Sequence, residues 1–267
     1  MTKDIAIERC EASLSQSDIE RFGPDPLSTF QANLACVRER VEKACARSGR
    51  DADAIRLLPV TKTVPAYILR FAHAAGIQSF GENKIQEAMT KREALADLPI
   101  NWSIIGHLQT NKVKYLTGVA SEFHALDSLR LADLLNGRLE REDKVLDVYL
   151  QVNTSGEESK FGLHPDALIP FVDMLARFPR LRPRGLMTLA LFSSDMAQVR
   201  PCFALLRRLR DEAWRRDPAI SELSMGMSGD FETAIEEGAD VVRVGQAIFG
   251  RRPTPDSYYW PGLANSA

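Results

Sequence analysis

The chain has 267 residues, of which 45% are hydrophobic and 26% charged, and its formal net charge is −2 at pH 7. These proportions are typical of a soluble globular protein, and without a basic excess there is no electrostatic case for nucleic-acid binding. The N-terminus lacks the apolar core of a signal peptide, no apolar run reaches membrane-spanning length, and the cysteines have no CxxC spacing. We therefore expect a cytoplasmic protein with reduced thiols, no metal site and no membrane partner.

The first part of the chain divides into a polar extension and a helix. Residues 1–26 are polar and end in GPDP, so we expect them to form a loosely attached extension. A helix is predicted from about Leu27, because apolar residues recur every three or four positions and Gly49 suits its C-terminal cap. Those apolar positions are Leu34, Val37, Val41 and Ala44.

From residue 55 onward, short apolar runs alternate with amphipathic segments. The eight runs are IRLLPV, IQSFG, NWSIIG, SEFHAL, VLDVYLQV, RPRGLMTL, ELSMG and DVVRVG. Strands separated by helices pair in parallel through right-handed crossovers, and eight such units close into a (β/α)8 TIM barrel. We predict one α/β barrel domain over residues 27–252, a C-terminal tail over 253–267 and no second domain. An open doubly wound sheet is the alternative, because strand order cannot be read from one sequence.

Lys62, in LLPVTKTVP, ends the first predicted strand, where its side chain would point toward the barrel mouth. A lysine held between apolar walls has a lowered pKa and can attack carbonyl groups, which makes Lys62 a candidate for a Schiff base. A lysine that extends to solvent from a strand end is common, and Lys62 taken alone favours that simpler interpretation.

The ends of the seventh and eighth strands change the balance. Ser228 and Gly229, in SMGMSGD, precede a predicted helix, and Gly245, in VRVGQAIFG, precedes another. Glycine-containing turns that expose N–H groups at helix N-termini bind phosphate, and in barrels such sites follow strands 7 and 8. Small residues that merely relieve crowding are the alternative, but two adjacent turns favour phosphate binding. A phosphate site and a lysine at one mouth indicate a phosphorylated aldehyde cofactor.

Arg243 lies two residues before Gly245, so strand alternation places both residues on one face. If that face is inward, the guanidinium reaches into the barrel. An arginine keeps its proton, so a pyridine nitrogen opposite it would stay unprotonated and the ring would be a weak electron sink. A structural ion pair with a nearby carboxylate is the alternative interpretation.

At these residues the sequence resembles the pyridoxal-phosphate homeostasis protein family, single-domain barrels related to the N-terminal domain of alanine racemase. The matching stretches span roughly residues 27–252 and are LLPVTKTVP, FGENKIQE, WSIIGHLQTNK, HALDS, VNTSGEESKFG, RGLMTLA and LSMGMSGDFETAIEEGADVVRVGQAIFG. The resemblance implies pyridoxal 5'-phosphate (PLP) held as a Schiff base on Lys62, with Arg243 facing the pyridine nitrogen. It also implies phosphate contacts from Ser228, Gly229, Gly245 and Gln246.

The same resemblance implies that further residues line the cofactor: Asn83, His107, Met187 and Thr188. His107 either touches the cofactor or bonds its own loop. Lys160, in ESKFG, resembles a second lysine that meets the cofactor near the mouth, although a solvated loop lysine is the favoured interpretation.

The sequence departs from the family pattern in three places. Gly229 stands where an aspartate is common, and Ala125 stands where a serine is frequent. The extension and the tail fall outside the match. None of these departures removes the lysine, the phosphate turns or the arginine.

The resemblance also bears on catalysis. Alanine racemases use a lysine and a tyrosine on opposite faces of the substrate, and the tyrosine comes from a second domain of the partner subunit. We expect no such domain here, and Tyr258 and Tyr259 in the tail are expected to pack on the barrel exterior. Without a second base and with an unprotonated pyridine, racemisation is poorly supported.

We therefore predict a monomeric PLP-binding protein of intracellular PLP homeostasis, which buffers the cofactor and transfers it to PLP-dependent apo-enzymes through transient contacts. No residue is assigned a catalytic role. The alternatives are a minimal PLP-dependent amino-acid racemase acting through Lys62, and a Schiff-base aldolase acting on a phosphorylated sugar. The aldolase would need a carboxylate base at the mouth, for which Glu82 and Asp127 are the candidates.

Overall fold

The computed structural model describes residues 14–252. Residues 1–13 of the predicted extension and the predicted tail from residue 253, which includes Tyr258 and Tyr259, lie outside the described residues. Within the described part, no helix is long and apolar enough to cross a bilayer.

Eight parallel strands form the centre of the fold. They are β1 (Arg56–Pro59), β2 (Ser79–Glu82), β3 (Asn101–Ile104), β4 (Glu122–Leu126), β5 (Leu146–Gln151), β6 (Leu181–Met187), β7 (Glu222–Ser224) and β8 (Val241–Val244). They pair in the order β1-β8-β7-β6-β5-β4-β3-β2, and a parallel bridge between Val60 and Gly81 joins the two ends of the sheet. The predicted (β/α)8 barrel and its eight strands are confirmed, and the open doubly wound alternative is wrong.

Helices precede and connect the strands. The described α-helices are α1 (Gln16–Phe22), α2 (Pro26–Ser48), α3 (Ala66–Ala74), α4 (Ile85–Ala94), α5 (Val113–Val119), α6 (Leu129–Arg141), α7 (Leu168–Met174), α8 (Met196–Arg216), α9 (Phe231–Glu236) and α10 (Gln246–Phe249). The alternation of strand and helix puts the carboxyl ends of all eight strands, and the loops that follow them, at one mouth of the barrel.

Helix α2 follows the sequence prediction closely. The Asp25 side chain caps its start by accepting the Ser28 N–H, and Gly49 ends it in the left-handed region with φ 67°. The four apolar positions predicted for its inner face are all buried. Burial of one such aliphatic side chain stabilises the fold by about 1.5–3 kcal/mol, so the amphipathic pattern fixes which face of α2 contacts the barrel.

Residues 16–22 form a packed helix. Ser15 and Asp18 cap α1 reciprocally. Phe22 is 1% exposed, and its ring packs edge-on against Phe30 of α2 at a centroid distance of 6.2 Å. The expectation of a loose attachment is therefore wrong for this helix, because its cap and its one large aromatic side chain tie it to the domain.

Candidate functional site

Lys62 is half-buried in the turn that follows β1, at the mouth of the barrel. The backbone on both sides of it is fixed. The Thr61 N–H donates to the Gly81 carbonyl at 3.0 Å, and the Thr63 N–H donates to Glu87 Oε1 at 2.9 Å. Thr63 has φ 65°, a conformation that a β-branched residue adopts at a cost of about 1–3 kcal/mol. The turn that carries Lys62 is therefore strained and is held by these two hydrogen bonds.

A buried ionic cluster supports this turn from the helix layer. Lys91 Nζ on α4 donates to the Thr61 carbonyl at 2.8 Å, to Glu82 Oε1 at 2.6 Å and to Glu87 Oε1 at 2.6 Å. Glu82 is 0% exposed; burial raises the pKa of its carboxyl to about 7, although the positive charge of Lys91 opposes the shift. Because a helix outside the sheet engages the Glu82 carboxylate, this residue is not placed as a base for chemistry at the mouth.

The turns after β7 and β8 meet. Ser228 Oγ accepts the backbone N–H of Gly245 at 3.2 Å and that of Ala247 at 3.4 Å. Gly226 has φ 92°, and a Cβ there would lie 2.6 Å from the Cβ of Ala234, so only glycine fits this turn. The two turns predicted to bind phosphate thus lie side by side.

The remaining residues of these turns differ in exposure. Gly229 is exposed, and a Cβ there would meet no atom within 4 Å. Gln246 is half-buried at the first position of α10. Asp230 accepts the Met227 N–H at 2.5 Å and shapes the β7 turn; burial raises the pKa of its carboxyl, and Arg243 opposes that shift.

Arg243 is 3% exposed and extends into the barrel interior, so the condition left open by the sequence, that its face is inward, is met. Its Nη1 donates to Ser224 Oγ at 2.8 Å, and its Nη2 donates to the Thr188 carbonyl at 2.7 Å. Both acceptors are neutral oxygens, in contrast to the carboxylate of the ion-pair interpretation. Burial lowers the pKa of Arg243 to about 10, and Asp230 raises it. The guanidinium therefore keeps its charge at neutral pH.

Met187 and Thr188, at the end of β6, are fully buried. The Thr188 hydroxyl donates to the Val152 carbonyl at 2.7 Å and lies 2.9 Å from the Thr154 hydroxyl. These bonds join the ends of β5 and β6 and fix the Thr188 carbonyl, which accepts the hydrogen bond from Arg243 Nη2.

His107 lies at the rim of the mouth. Its Nδ1 is 3.5 Å from Asp127 Oδ2, and its ring stacks on Phe161 with centroids 3.7 Å apart and planes at 8°. Burial raises the pKa of Asp127, and His107 partly offsets the effect. His107 therefore joins the loops after β3, β4 and β5. Asn83, half-buried after β2, is also at the rim: a Cβ at Gly106 would lie 2.2 Å from the Asn83 carbonyl oxygen.

Lys160 is covered by its own loop. Its side chain is 9% exposed, pairs with Glu157 and donates to the Ala190 carbonyl at 2.8 Å. Asn153 Nδ2 donates to the Glu157 carbonyl at 2.8 Å and folds this loop back on itself. The favoured interpretation of a solvated loop lysine is wrong, because the loop is organised around the lysine and joins it to the end of β6.

One residue that supports the site, His124, was not predicted from the sequence. His124 is fully buried, with Nδ1 3.0 Å from Ser224 Oγ and Nε2 3.3 Å from Glu122 Oε1. Burial lowers the pKa of His124, and the contact with Glu122 opposes that shift. A histidine inside the apolar run SEFHAL was the available signal, since a polar side chain within a barrel strand requires a partner. Over residues 14–252, no group of three or more His, Cys, Asp or Glu side chains is arranged to hold a metal ion.

Comparisons with known proteins agree with this geometry. The family model of the alanine racemase N-terminal domain matches residues 27–253. A protein of Aquifex aeolicus named pyridoxal phosphate homeostasis protein is 45% identical over 220 residues, which cover 82% of this chain and 96% of that protein. A human protein of the same name is 44% identical over 243 residues, which cover 84% and 88% of the two chains.

Solved structures give the same result. The structure of PipY from Synechococcus elongatus with PLP bound has a TM-score of 0.73 and 32% identity, and covers 83% of this chain and 100% of PipY. An alanine racemase from Corynebacterium glutamicum has a TM-score of 0.65 at 14% identity, covering 85% of this chain and 62% of the racemase. At this low identity, the similarity to the racemase shows a shared fold and nothing more.

Proposed function

Since the chain belongs to the family of pyridoxal phosphate homeostasis proteins, we propose that it binds PLP at the barrel mouth through Lys62 and serves to buffer and deliver this cofactor. The observation that carries the proposal is the meeting of Ser228 Oγ with the N–H groups of Gly245 and Ala247, at the mouth that also holds Lys62. A relative at 32% identity, PipY, was solved with PLP bound, which supports the choice of ligand.

The residues present fit the phosphate of PLP. The N–H groups of Gly245 and Ala247 and the Ser228 hydroxyl can all donate to an anion. Their mutual bonds of 3.2 and 3.4 Å are longer than the usual ~2.9 Å, so a charged phosphate oxygen is the stronger acceptor for the same donors. A Cβ at Gly245 would lie 3.1 Å from the Val60 carbonyl oxygen, so a small residue is required where the β8 turn passes β1.

When bound, PLP supplies an aldehyde that condenses with an amine, with loss of water. The chain's part is to present the Lys62 amine at a fixed place. The turn is constrained on one side by Thr61 and on the other by Thr63, whose N–H is held by Glu87. A fixed turn reduces the conformational freedom that Lys62 loses when the cofactor binds, and this favours binding.

Arg243 supports a binding role over catalysis. Its pKa of about 10 leaves the guanidinium charged at neutral pH, and a charged donor opposite the pyridine nitrogen keeps that nitrogen unprotonated. The ring is then a poor sink for the electrons of a carbanion, which opposes racemisation.

Tyr149 is turned away from the mouth. Its hydroxyl donates to Glu222, the first residue of β7, and accepts from Arg56 at the start of β1.

The recipients in this proposal are PLP-dependent apo-enzymes, which contact the mouth transiently, and the protein acts as a monomer. Two aromatic side chains with exposed surface, Phe161 at 55% and Phe192 at 44% exposure, belong to the loops after β5 and β6, where such a contact would form. Size-exclusion chromatography with light scattering, with and without an apo-enzyme, tests both the monomer and the transient nature of the complex.

The deciding experiment is an absorption spectrum of the purified protein before and after borohydride, followed by peptide mapping. We expect a near-visible band that borohydride abolishes, with the reduced adduct on Lys62. The band should be absent in Lys62→Ala and retained in Lys84→Ala, an exposed lysine at the start of α4. Absence of the band after PLP has been added, or an adduct on another lysine, would refute the proposal. Racemisation of alanine that disappears in Lys62→Ala would instead establish the minimal racemase.

A further inference from the structure

Arg21, on α1, contacts the turn of the cofactor lysine. Its Nη1 donates to the Thr63 carbonyl at 2.7 Å, and its Nη2 donates to the Thr63 hydroxyl at 3.1 Å. The two residues are 42 positions apart. Arg21 also precedes residues 27–253, so it lies outside the part of the chain that the family model matches.

The contact acts on a strained backbone. Thr63 follows Lys62 directly and has φ 65°, which is unfavourable for a β-branched residue. Such conformations persist where several contacts determine them together. Thr63 is held by Glu87 at its N–H and by Arg21 at its carbonyl and hydroxyl oxygens. Arg21 thus supplies two of these three hydrogen bonds to Thr63.

The backbone of Arg21 also reaches the phosphate side of the mouth. Gly250, which ends α10, has φ 73°, and a Cβ there would lie 2.5 Å from the Arg21 carbonyl oxygen. The aromatic series from Phe22 through Phe30 to Phe249 joins α1 to α10, with centroid distances of 6.2 and 5.3 Å. Helix α1 is therefore in contact with α10, the helix that begins at the proposed phosphate site. Through Arg21, α1 also holds the turn that carries Lys62.

We propose that Arg21 is a positioning residue for Lys62: by bonding both oxygens of Thr63 it holds the turn in the conformation that presents the lysine amine to PLP. This inference rests on the proposed function, because it assigns Arg21 a part in the same site. It makes α1, which precedes the residues that the family model matches, a functional element of the site.

The first test compares full-length Arg21→Ala with Arg38→Ala, which removes an exposed arginine from neighbouring α2. We expect the dissociation constant for PLP to rise about tenfold in Arg21→Ala, because a turn that has lost both bonds from the guanidinium must be ordered when PLP binds, and to change less than about twofold in Arg38→Ala. Equal effects in the two variants, or an unchanged constant in Arg21→Ala, would overturn the assignment.

A second readout separates positioning from simple support of the fold. In the PLP-free protein, reductive methylation of Lys62 is measured by mass spectrometry relative to exposed Lys114, across pH. We expect the pH profile of Lys62 to shift in Arg21→Ala while that of Lys114 stays constant. A lower melting temperature with an unchanged Lys62 profile and unchanged PLP binding would show a structural role and refute the inference.

A double-mutant cycle tests the route through Thr63. Glycine adopts positive φ without strain, so Thr63→Gly removes the hydroxyl contact and the strain, while the carbonyl contact with Arg21 remains. If Arg21 acts by opposing that strain, Arg21→Ala in this background should weaken PLP binding by less than about threefold. A full tenfold effect there would show that Arg21 does not act through the strained conformation of Thr63. A wild-type protein without the near-visible band would defeat the proposed function itself, whereas a normal wild-type band with an unaffected Arg21→Ala defeats this inference alone.

Discussion

The hydroxyl oxygen of Ser228 lies 3.2 Å from the backbone nitrogen of Gly245, which places the turn after β7 against the first residues of α10. A side chain from one turn thus satisfies backbone donors of the other. These donors would be unpaired at a helix N-terminus without Ser228 or an anion. The same atoms have two roles. They join the turns after β7 and β8 to each other, and they are the donors from which a phosphate would accept hydrogen bonds.

Removal of the Ser228 hydroxyl should weaken binding of PLP in a way that depends on its phosphate. We expect Ser228→Ala to raise the dissociation constant for PLP about ten- to hundredfold, because a charged hydrogen bond contributes roughly 1.5–3 kcal/mol. Binding of pyridoxal, which lacks the phosphate, should be unchanged. Titrations followed by absorbance give both constants, with Ser17→Ala on the exposed face of α1 as the control. An equal loss for PLP and pyridoxal would contradict a phosphate contact.

The sequence predicts the barrel well because its strands are short apolar runs that local patterning reveals. Alternation along β8 places Arg243 on one face with Gly245, but only the burial of the side chain shows that this face is inward. The contacts around Lys62 are of another kind. Arg21 bonds the backbone of a turn 42 residues away, and a contact of this sort leaves no periodic trace in the sequence.

Lys160 and Lys91 show the same limit. Both look like ordinary solvated lysines in charged segments, yet Lys160 is covered by the loop that contains it and Lys91 is 5% exposed. The available signal at Lys91 was Glu87, four positions earlier, with which it forms an ion pair on α4. Only the fold shows that Glu82, at the end of β2, completes the cluster.

The buried cluster should make stability depend on pH. Burial raises the pKa of Glu82 from 4.5 to about 7, so between these values the folded state binds more protons than the unfolded state. The slope of the unfolding free energy with pH is then negative, and the stabilising effect of protonated Glu82, present below pH 4.5, is lost as pH rises through 7. We expect wild type to lose on the order of 3 kcal/mol relative to Glu82→Gln across this window.

Urea unfolding of both proteins at several pH values measures this difference. Glu20→Gln, an exposed change on α1, should follow wild type. Parallel curves for wild type and Glu82→Gln would mean that Lys91 holds Glu82 ionised in the folded state and that the raised pKa is wrong.

Loss of the buried guanidinium should destabilise the protein without PLP. In Arg243→Met, the Ser224 hydroxyl and the Thr188 carbonyl lose their donor inside the barrel, and an unsatisfied buried polar group costs about 1–3 kcal/mol. Chemical unfolding of the PLP-free protein should show this decrease. Arg38→Met on the surface of α2 should stay within about 0.5 kcal/mol of wild type. A fully stable Arg243→Met would contradict a stabilising role for these two hydrogen bonds.

Introducing an acidic residue at Gly229 should weaken PLP binding while leaving the fold intact. Gly229 is exposed and a Cβ there meets no atom within 4 Å, so Gly229→Asp should change the unfolding free energy by less than about 0.5 kcal/mol. The added carboxylate would lie one residue from Ser228, beside the phosphate.

Repulsion between two partly solvated anions is modest and is screened by salt, so we expect the dissociation constant to rise about threefold at low ionic strength and less at high ionic strength. Gly229→Asn adds a side chain of the same shape without charge and should bind PLP as wild type does. A loss of affinity shared by both variants would point to the shape of the turn as the cause. A loss confined to the aspartate and removed by salt would place the phosphate at this turn, because only a nearby anion senses the sign of the new charge.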